Sequence, residues 1–261
     1  MPAALIELVK RRDLLYMITW REIKIRYKQS LMGFMWAILL PALIILAGIT
    51  VRYGMATLSG QPVSHEAIAS VSVKALAWAF FSSAMRFSST SLISNTNLVT
   101  KIYLPREVFP IGAVLAQFFD LAIAASVLAV ALIFTGVGTS WEMLWVPILV
   151  AILVALATGW ALVLSAACLF FRDVKYLVEV VVNFAIFVTP VFYGVEMFGS
   201  WKTALMLNPL APLLIAFESI IVYHTAPDLP WLGYSAAFAF IALIGGFYLF
   251  KRWEPMFAEN I

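Results

Sequence analysis

Residues 20–41 read WREIKIRYKQSLMGFMWAILLP, and this stretch joins a cationic half directly to an apolar half. Arginine and lysine crowd the first half, whereas the second half holds no charged residue. Such a junction is typical of a chain that enters a membrane from the side on which positive charge collects. The stretch therefore predicts a membrane protein whose first span begins near residue 31.

The composition of the whole chain agrees with this prediction. Soluble domains carry about 25% charged residues, whereas this chain of 261 residues carries 12% and is 64% hydrophobic. Its mean hydropathy of +0.98 indicates several membrane segments, and no hydrophilic block is long enough for a second domain. The net charge of +3 does not indicate a nucleic-acid partner, because the cations flank apolar segments. The single cysteine, Cys168, excludes an intrachain disulfide.

Six apolar stretches are long enough to cross a bilayer, for which a helix needs about 20 residues. They are approximately 31–51, 72–94, 108–134, 144–170, 175–194 and 232–250. We therefore predict an all-α integral membrane protein with six transmembrane helices. The fourth and fifth spans are joined only by FFRDVKY (170–176), which predicts an antiparallel hairpin.

The lysines and arginines orient these spans, because cytoplasmic loops carry an excess of them. With the N-terminus inside, 13 of the 17 fall in cytoplasmic segments. We therefore expect a multi-pass protein of the plasma (inner) membrane with both termini cytoplasmic. The predicted domains are a cytoplasmic amphipathic interface helix in 1–30, a six-span transmembrane domain in 31–254 and a cytoplasmic tail in 255–261.

The segment before the first span has two faces when it is drawn as a helix. The aromatic and apolar face holds Tyr16, Trp20, Ile23 and Tyr27, and the neighbouring cationic face holds Arg21, Lys24 and Lys28. Such a helix rests in the headgroup layer against membrane lipids, so we expect it to lie along the cytoplasmic surface. It either fixes topology alone or also forms a docking platform for a cytoplasmic partner.

The loop SNTNLVTKIYLPREVFP (94–110) joins the second and third spans on the cytoplasmic side. Asparagine or threonine caps a short helix here, and Pro105 ends it. The side chains of this element are Leu98, Val99, Lys101, Ile102, Tyr103 and Leu104. So short an apolar helix has no core of its own, so either the membrane interface or another protein covers it.

Five segments in the same order resemble the permease subunit of ABC transporters of the type-two export family, in its polysaccharide branch. The branch comprises O-antigen, capsule and teichoic-acid exporters, and the likeness runs over essentially the whole chain. The segments are RDLLYMITWREIKIRYKQSLMGFMWAILLP (12–41), NLVTKIYLPREVFP (97–110), FFRDVKYLVEVVVNFAIFVTPVFY (170–193), LNPLAPLLIAFESII (207–221) and WEPMFAENI (253–261).

The resemblance implies that residues 98–104 form a coupling helix that inserts into a separate ATPase subunit. It further implies a homodimer with two cytoplasmic ATPases and a lipid-linked polysaccharide as cargo. The chain carries no G-x-x-x-x-G-K-[ST] phosphate loop, so we expect ATP and Mg²⁺ on the partner and neither enzymatic activity nor a cofactor here.

Aromatic residues along spans one and five suit a path for sugars, whose C–H faces stack on aromatic rings, and the resemblance implies a channel lined by these spans. The candidates are Phe34, Trp36, Asn183, Phe184, Phe187 and Tyr193. Each aromatic could instead face lipid or pack between helices. Asn183 could bond a sugar hydroxyl or, alternatively, another helix.

Charged residues inside the membrane are costly and need partners. Arg86 and Asp120 lie at similar depth on antiparallel spans, so we predict that they pair. The alternative is that Arg86 extends to the cytosol along serines and Asp120 faces water. We expect Glu179 to pair with Lys175, one turn earlier on the same helix.

Residues 195–231 contain two apolar pieces, 203–207 and 213–223, that are too short to cross a membrane. Asn208-Pro209 and Pro212 separate them, so we predict a re-entrant outer helical hairpin before the last span. The resemblance implies an outer gate here. Glu218 stands where the family pattern often has an arginine, so a charge-based role at this position is in doubt.

Other functions fit the sequence less well than a polysaccharide exporter. The alternative within the family is a permease for drugs or small lipids. An intramembrane enzyme needs a catalytic set, but His65 and His224 are the only histidines and both fall in predicted outer loops. A secondary transporter predicts broken helices in two matching positions, and only one broken region is present.

Overall fold

The computed structural model describes residues 11–28, 35–59, 64–101, 104–134 and 137–259. Every regular element in these ranges is a helix, which confirms the all-α class. The α-helices are α1 (Arg12–Lys28), α2 (Met35–Ser59), α3 (His65–Ser89), α4 (Thr96–Lys101), α5 (Val108–Phe134), α6 (Val146–Phe170), α7 (Val174–Val188), α8 (Lys202–Met206), α9 (Leu210–Ile221) and α10 (Leu229–Trp253). Short 3₁₀ turns occupy Ile93–Asn95, Trp141–Trp145, Val195–Trp201 and Glu254–Glu259.

Four helical segments in the described residues are long and apolar enough to cross a membrane, and they coincide with the predicted spans two, three, four and six. Their bounds are His65–Ser89, Val108–Ile133, Trp141–Phe170 and Leu229–Phe257. Predicted spans one and five fall on α2 and α7. Among the described residues the apolar part of α2 is Ala42–Gly54, and α7 has 15 residues, so both apolar segments are shorter than the other four.

The second span begins earlier than the predicted residue 72, at His65. Ser64 caps this helix, because its Oγ accepts a hydrogen bond from Ala67 N at 3.1 Å. Small side chains let α3 occupy the centre of the molecule, where it contacts α2, α5, α6, α7 and α9. Its serines are buried and bond mainly to its own backbone carbonyls, as Ser82 Oγ does to Ala79 O at 3.1 Å.

Helices α6 and α10 pack with their backbones in contact. A Cβ atom built on Gly159 would lie 2.4 Å from the carbonyl carbon of Ala242, and one built on Gly246 would lie 2.3 Å from Gly159 O. Small residues allow such close approach, which drives association of membrane helices where the hydrophobic effect is weak. These two helices therefore form a rigid pair on one side of α3.

The N-terminal helix α1, which we expected to lie along the cytoplasmic surface, packs along α5. Ile18 contacts the backbone of Gly112, and Arg26 bonds Asp120. Both contacts move forward along the two helices by the same number of residues, so α1 runs beside the first half of α5 in the same direction. The eight residues between the contacts span about 12 Å at 1.5 Å per residue.

The faces of α1 also differ from the predicted pattern. Ile23 and Tyr27 are buried against Ala116 of α5, whereas Tyr16 and Trp20 are exposed and stack on each other at 6.4 Å. The predicted aromatic face is thus divided in two, because its C-terminal residues pack on α5 whereas its N-terminal residues are exposed.

The two short apolar pieces before the last span are helical, but Pro212 does not separate them. It lies in the first turn of α9, where a missing backbone N–H is tolerated. The turn at 207–209 is held by α10, since Tyr234 Oη donates to Leu207 O at 2.7 Å and Ser235 Oγ donates to Pro209 O at 2.8 Å. Two backbone carbonyls at the break between the helices are therefore bonded to side chains of α10.

Candidate functional site

The predicted coupling element contains α4, which is preceded by the 3₁₀ turn Ile93–Asn95. Val99 is only 2% exposed and belongs to an apolar cluster with Ile18, Leu92 and Phe109. Leu98 and Leu104 pack against the same cluster. The expectation that these apolar side chains need cover from the membrane or another protein is therefore wrong, because the chain's own cluster covers them.

The face that α4 leaves exposed is polar and contains Asn97 and Thr100. Ile102 and Tyr103 lie outside the described residues, as does the side chain of Lys101. The loop 94–107 thus exposes the polar face of α4, while buried apolar contacts on the opposite face hold this short helix in position.

Polar contacts hold both ends of this loop. At its start, Arg21 of α1 donates to Asn95 Oδ1, and Asn95 Nδ2 donates to Ser91 O at 2.8 Å. At its end, Arg106 Nη1 donates to the backbone carbonyl of Glu254 at 2.6 Å. The predicted interface helix and the chain's C-terminal turn therefore both contact the loop.

A charged cluster, which we call the tail clamp, joins the end of the loop to α10. It consists of Arg106, Glu107, Lys251 and Glu254. Lys251 Nζ donates to Glu107 Oε2 at 2.7 Å and to Glu254 Oε2 at 2.9 Å. Burial raises the pKa of Glu107, and the hydrogen bond from Lys251 opposes that rise.

Two of the predicted conduit residues, Phe184 and Phe187, lie on an exposed face of α7. Phe184 and Phe187 are each 67% exposed, and Trp36 on α2 is also exposed. Tyr193 is partly buried, since its hydroxyl donates to Phe187 O at 2.8 Å and its ring packs on Phe198. Phe34 lies outside the described residues.

The predicted Arg86–Asp120 pair is wrong, because each residue has other partners. Arg86 Nη2 donates to Asn183 Oδ1 at 2.5 Å, and Arg86 Nε lies 3.5 Å from Glu179 Oε2. Asn183 therefore makes the interhelical hydrogen bond that was its alternative role. Glu179 contacts Arg86 rather than Lys175, which lies over the ring of Tyr176 at 4.6 Å.

Asp120 instead binds the N-terminal helix. It accepts hydrogen bonds from Arg26 and from the hydroxyl of Tyr27, and the Arg26 guanidinium lies 4.3 Å from the ring centre of Phe87. Sequence reasoning compared depths between spans and did not consider that α1 could reach the same depth. The one signal in the sequence for this contact was that Arg26 belonged to neither the aromatic face nor the cationic face predicted for α1.

A second ion pair joins α3 to α9. Lys74 is fully buried, and its Nζ lies 3.0 Å from Glu218 Oε2. The predicted second span, 72–94, includes Lys74, for which we predicted no partner, and a charge-based role for Glu218 was in doubt. Lys74 and Glu218 are opposite charges that each stand alone in an apolar segment, and this was the signal from which their pairing could have been predicted.

A family model described as ABC-2 type transporter matches residues 13–222. The chain belongs to the ABC-2 type transporter family. The match begins in α1 and runs through the end of α9, so it includes the loop 94–107, the exposed face of α7 and the hairpin of α8 and α9. It confirms the resemblance read from the sequence.

Relatives within the ABC-2 family cover nearly the whole chain. An "O-antigen export system permease protein RfbA" of Myxococcus xanthus is 26% identical over 258 residues, which is 98% of each protein. A protein of the same name from Klebsiella pneumoniae is 26% identical over 251 residues, covering 95% of this chain and 94% of the relative. The described residues of this ABC-2 chain contain no group of three or more metal-ligating side chains.

Proposed function

We propose that this protein is the transmembrane subunit of an ATP-driven exporter that moves a lipid-linked polysaccharide across the plasma (inner) membrane. The observation that carries the proposal is the near-complete mutual coverage with relatives that are named O-antigen export permeases. A relative that aligns from end to end shares the whole arrangement of spans and loops, so the same class of cargo fits this chain.

The proposal includes six spans, with α2 as the first and α7 as the fifth. The 25 residues of α2 extend about 37 Å, enough for a hydrocarbon core of about 30 Å. Helix α7 extends only about 22 Å, so the segment after it must complete the crossing. The hairpin of α8 and α9 is then re-entrant from the outer side, and both termini are cytoplasmic.

The exposed face of α7 supports a conduit between two copies of the chain. Arg86 and Glu179 lie beside this face, and their side chains are 38% and 52% exposed. Charged groups at membrane depth face protein or water rather than lipid. In a homodimer with α7 at its centre, these charges would contact water in the conduit, and Phe184 and Phe187 would face the transported sugars.

The cytoplasmic side supports docking of an ATPase. The exposed part of α1 combines Tyr16, Trp20 and Lys24, whose Nζ lies 5.5 Å from the Trp20 ring centre. Together with the polar face of α4, it forms a surface that two copies of a cytoplasmic ATPase could contact. ATP and Mg²⁺ would bind to that ATPase and not to this chain.

The test is reconstitution of the permease with the ATPase that co-purifies from its native membranes. Proteoliposomes would be loaded on the outside with a lipid-linked polysaccharide bearing a fluorescent sugar, and transfer to the inside would be measured by protection from an added glycosidase. We expect transfer that requires ATP and stops with an ATPase variant unable to hydrolyse it. A permease that moves the polysaccharide without any ATPase, or that moves only small drugs, would contradict the proposal.

A further inference from the structure

We propose that Glu107 and Lys251 are positioning residues for energy coupling, which fasten the end of the cytoplasmic loop to the last helix so that movement of the loop reaches the α6–α10 pair. This inference rests on the proposed function, because it assumes that an ATPase moves the loop. It assigns a role to the tail clamp that lies outside the coupling helix itself.

The hydrogen bonds and ion pairs of the tail clamp are short, and together they link its four residues in a closed ring. Lys251 bridges Glu107 at 2.7 Å and Glu254 at 2.9 Å, while Arg106 binds the carbonyl of Glu254 at 2.6 Å. The four formal charges sum to zero. Phe257 lies beneath, fully buried, with Arg106 5.8 Å from its ring centre. The end of the loop is therefore attached to α10 through several bonds at once.

Burial makes the Glu107–Lys251 contact different from a surface ion pair. The Glu107 side chain is only 1% exposed, and its Oε1 has no hydrogen-bond partner among the described residues. Removing Lys251 would thus leave a buried carboxylate with neither of its oxygens paired to a cation. Exposed pairs contribute little, but a buried pair sets the position of the groups that carry it.

The energetics of Glu107 argue for a role in position rather than in stability alone. Burial raises the pKa of Glu107, so the folded protein holds this proton more tightly than the unfolded chain does. Ionisation of Glu107 therefore lowers the stability of the fold as pH rises above the ordinary glutamate range. A neutral side chain would fold as well or better at this site.

The clamp connects to α6 through helix α10 itself. Lys251 is on α10, whose Gly246 touches the backbone of Gly159 on α6. The start of the loop, by contrast, is tied through Asn95 to α1, which packs on α5. The loop thus contacts both sides, and the clamp is its polar attachment to the α6–α10 pair, beside the apolar cluster around Val99.

The experiment compares K251M and E107Q with a matched control, R252M, in complexes with the co-purifying ATPase. Arg252 neighbours Lys251 on α10 but is exposed, so R252M removes the same charge without touching the clamp. Membrane abundance, ATPase co-purification, ATP hydrolysis and polysaccharide export are measured for each complex. We expect K251M to lower membrane abundance, because it leaves the buried Glu107 carboxylate without a cation, and E107Q to keep the first three. Both variants should lose export per ATP by at least about fivefold, the low end of typical coupling effects.

An unchanged ratio of export to ATP hydrolysis in both variants would overturn the inference. If the single variants do not accumulate, the double variant E107A/K251A removes both charges and leaves no unpaired buried charge; a reduced ratio supports the inference and a wild-type ratio overturns it. Failure of the proposed function looks different, because the wild-type and R252M complexes would then also lack ATP-dependent export.

Discussion

Lys74 Nζ lies 3.0 Å from Glu218 Oε2 and joins the centre of α3 to the outer helix α9. Lys74 Nζ also donates to the carbonyl of Tyr193 at 3.3 Å, and Ser70 donates to Glu218 Oε1. One buried cation thus connects the second span, the outer helix and the segment that follows α7. The outer hairpin is therefore held by a specific electrostatic contact as well as by apolar packing.

Breaking this pair on one side should destabilise the protein strongly. K74M or E218M leaves a buried charge without its partner, which typically costs about 3–5 kcal/mol. The double variant K74M/E218M should recover most of that loss, because apolar replacement of a buried pair is often neutral. Thermal unfolding in detergent measures the effect.

The control for this cycle is K202M, which removes an exposed lysine on α8 whose partner Glu196 is 3.5 Å away. It should leave the midpoint of unfolding nearly unchanged. If the stability lost in the double variant equalled the sum of the losses in the two single variants, the result would contradict a coupled pair.

Two adjacent glycines on α10 should respond very differently to alanine. In G246A the new Cβ would lie 2.3 Å from Gly159 O, so α6 and α10 must separate. Overpacking of this kind typically costs about 1–3 kcal/mol. In G245A the new Cβ meets nothing within 4 Å, so stability should be unchanged or slightly higher because alanine favours helices. Detergent unfolding curves that shift equally would show that the close contact is not decisive.

Charge exchange can identify the partner of Asp120. D120R should reduce membrane abundance, because it places a second arginine beside Arg26. R26D/D120R should restore abundance, since the opposite charges again face each other, whereas R86D/D120R should not. Quantitative blotting of membrane fractions provides the measurement. Rescue by the Arg86 exchange alone would favour the pairing that the sequence predicted.

Aromatic residues on α7 should affect transport more than folding. F184A and F187A remove exposed rings, so they should lower polysaccharide export several-fold while membrane abundance is retained. F240A is the matched control, because Phe240 on α10 is similarly exposed but lies on a different helix. An F240A defect as large as that of F187A would indicate that the α7 rings act only through contact with lipid.

Several features could be predicted from the sequence because they depend on local composition. Four of the six predicted spans coincide with long apolar helices, and a short helix, Thr96–Lys101, is present in the loop before Pro105. The family likewise followed from segments in order along the chain. These properties need no knowledge of which helices touch.

Partners could not be predicted in the same way. Sequence position estimates how deep Arg86 and Asp120 lie but not which way each helix is rotated, and the pairing predicted on depth alone is wrong. The coupling loop was expected to need a foreign cover, because a chain's own cluster around Val99 is visible only after α1, α5, α6 and α10 converge.

Hydropathy and proline positions along the chain determined by themselves that this protein is helical and membrane-embedded. Only the tertiary structure decided that Asp120 meets Arg26, that Lys74 meets Glu218 and that Glu107 meets Lys251. The physical reason is that insertion depends on the transfer free energy of each segment, which is local. Pairing depends on the rotation and close approach of helices that are distant in sequence.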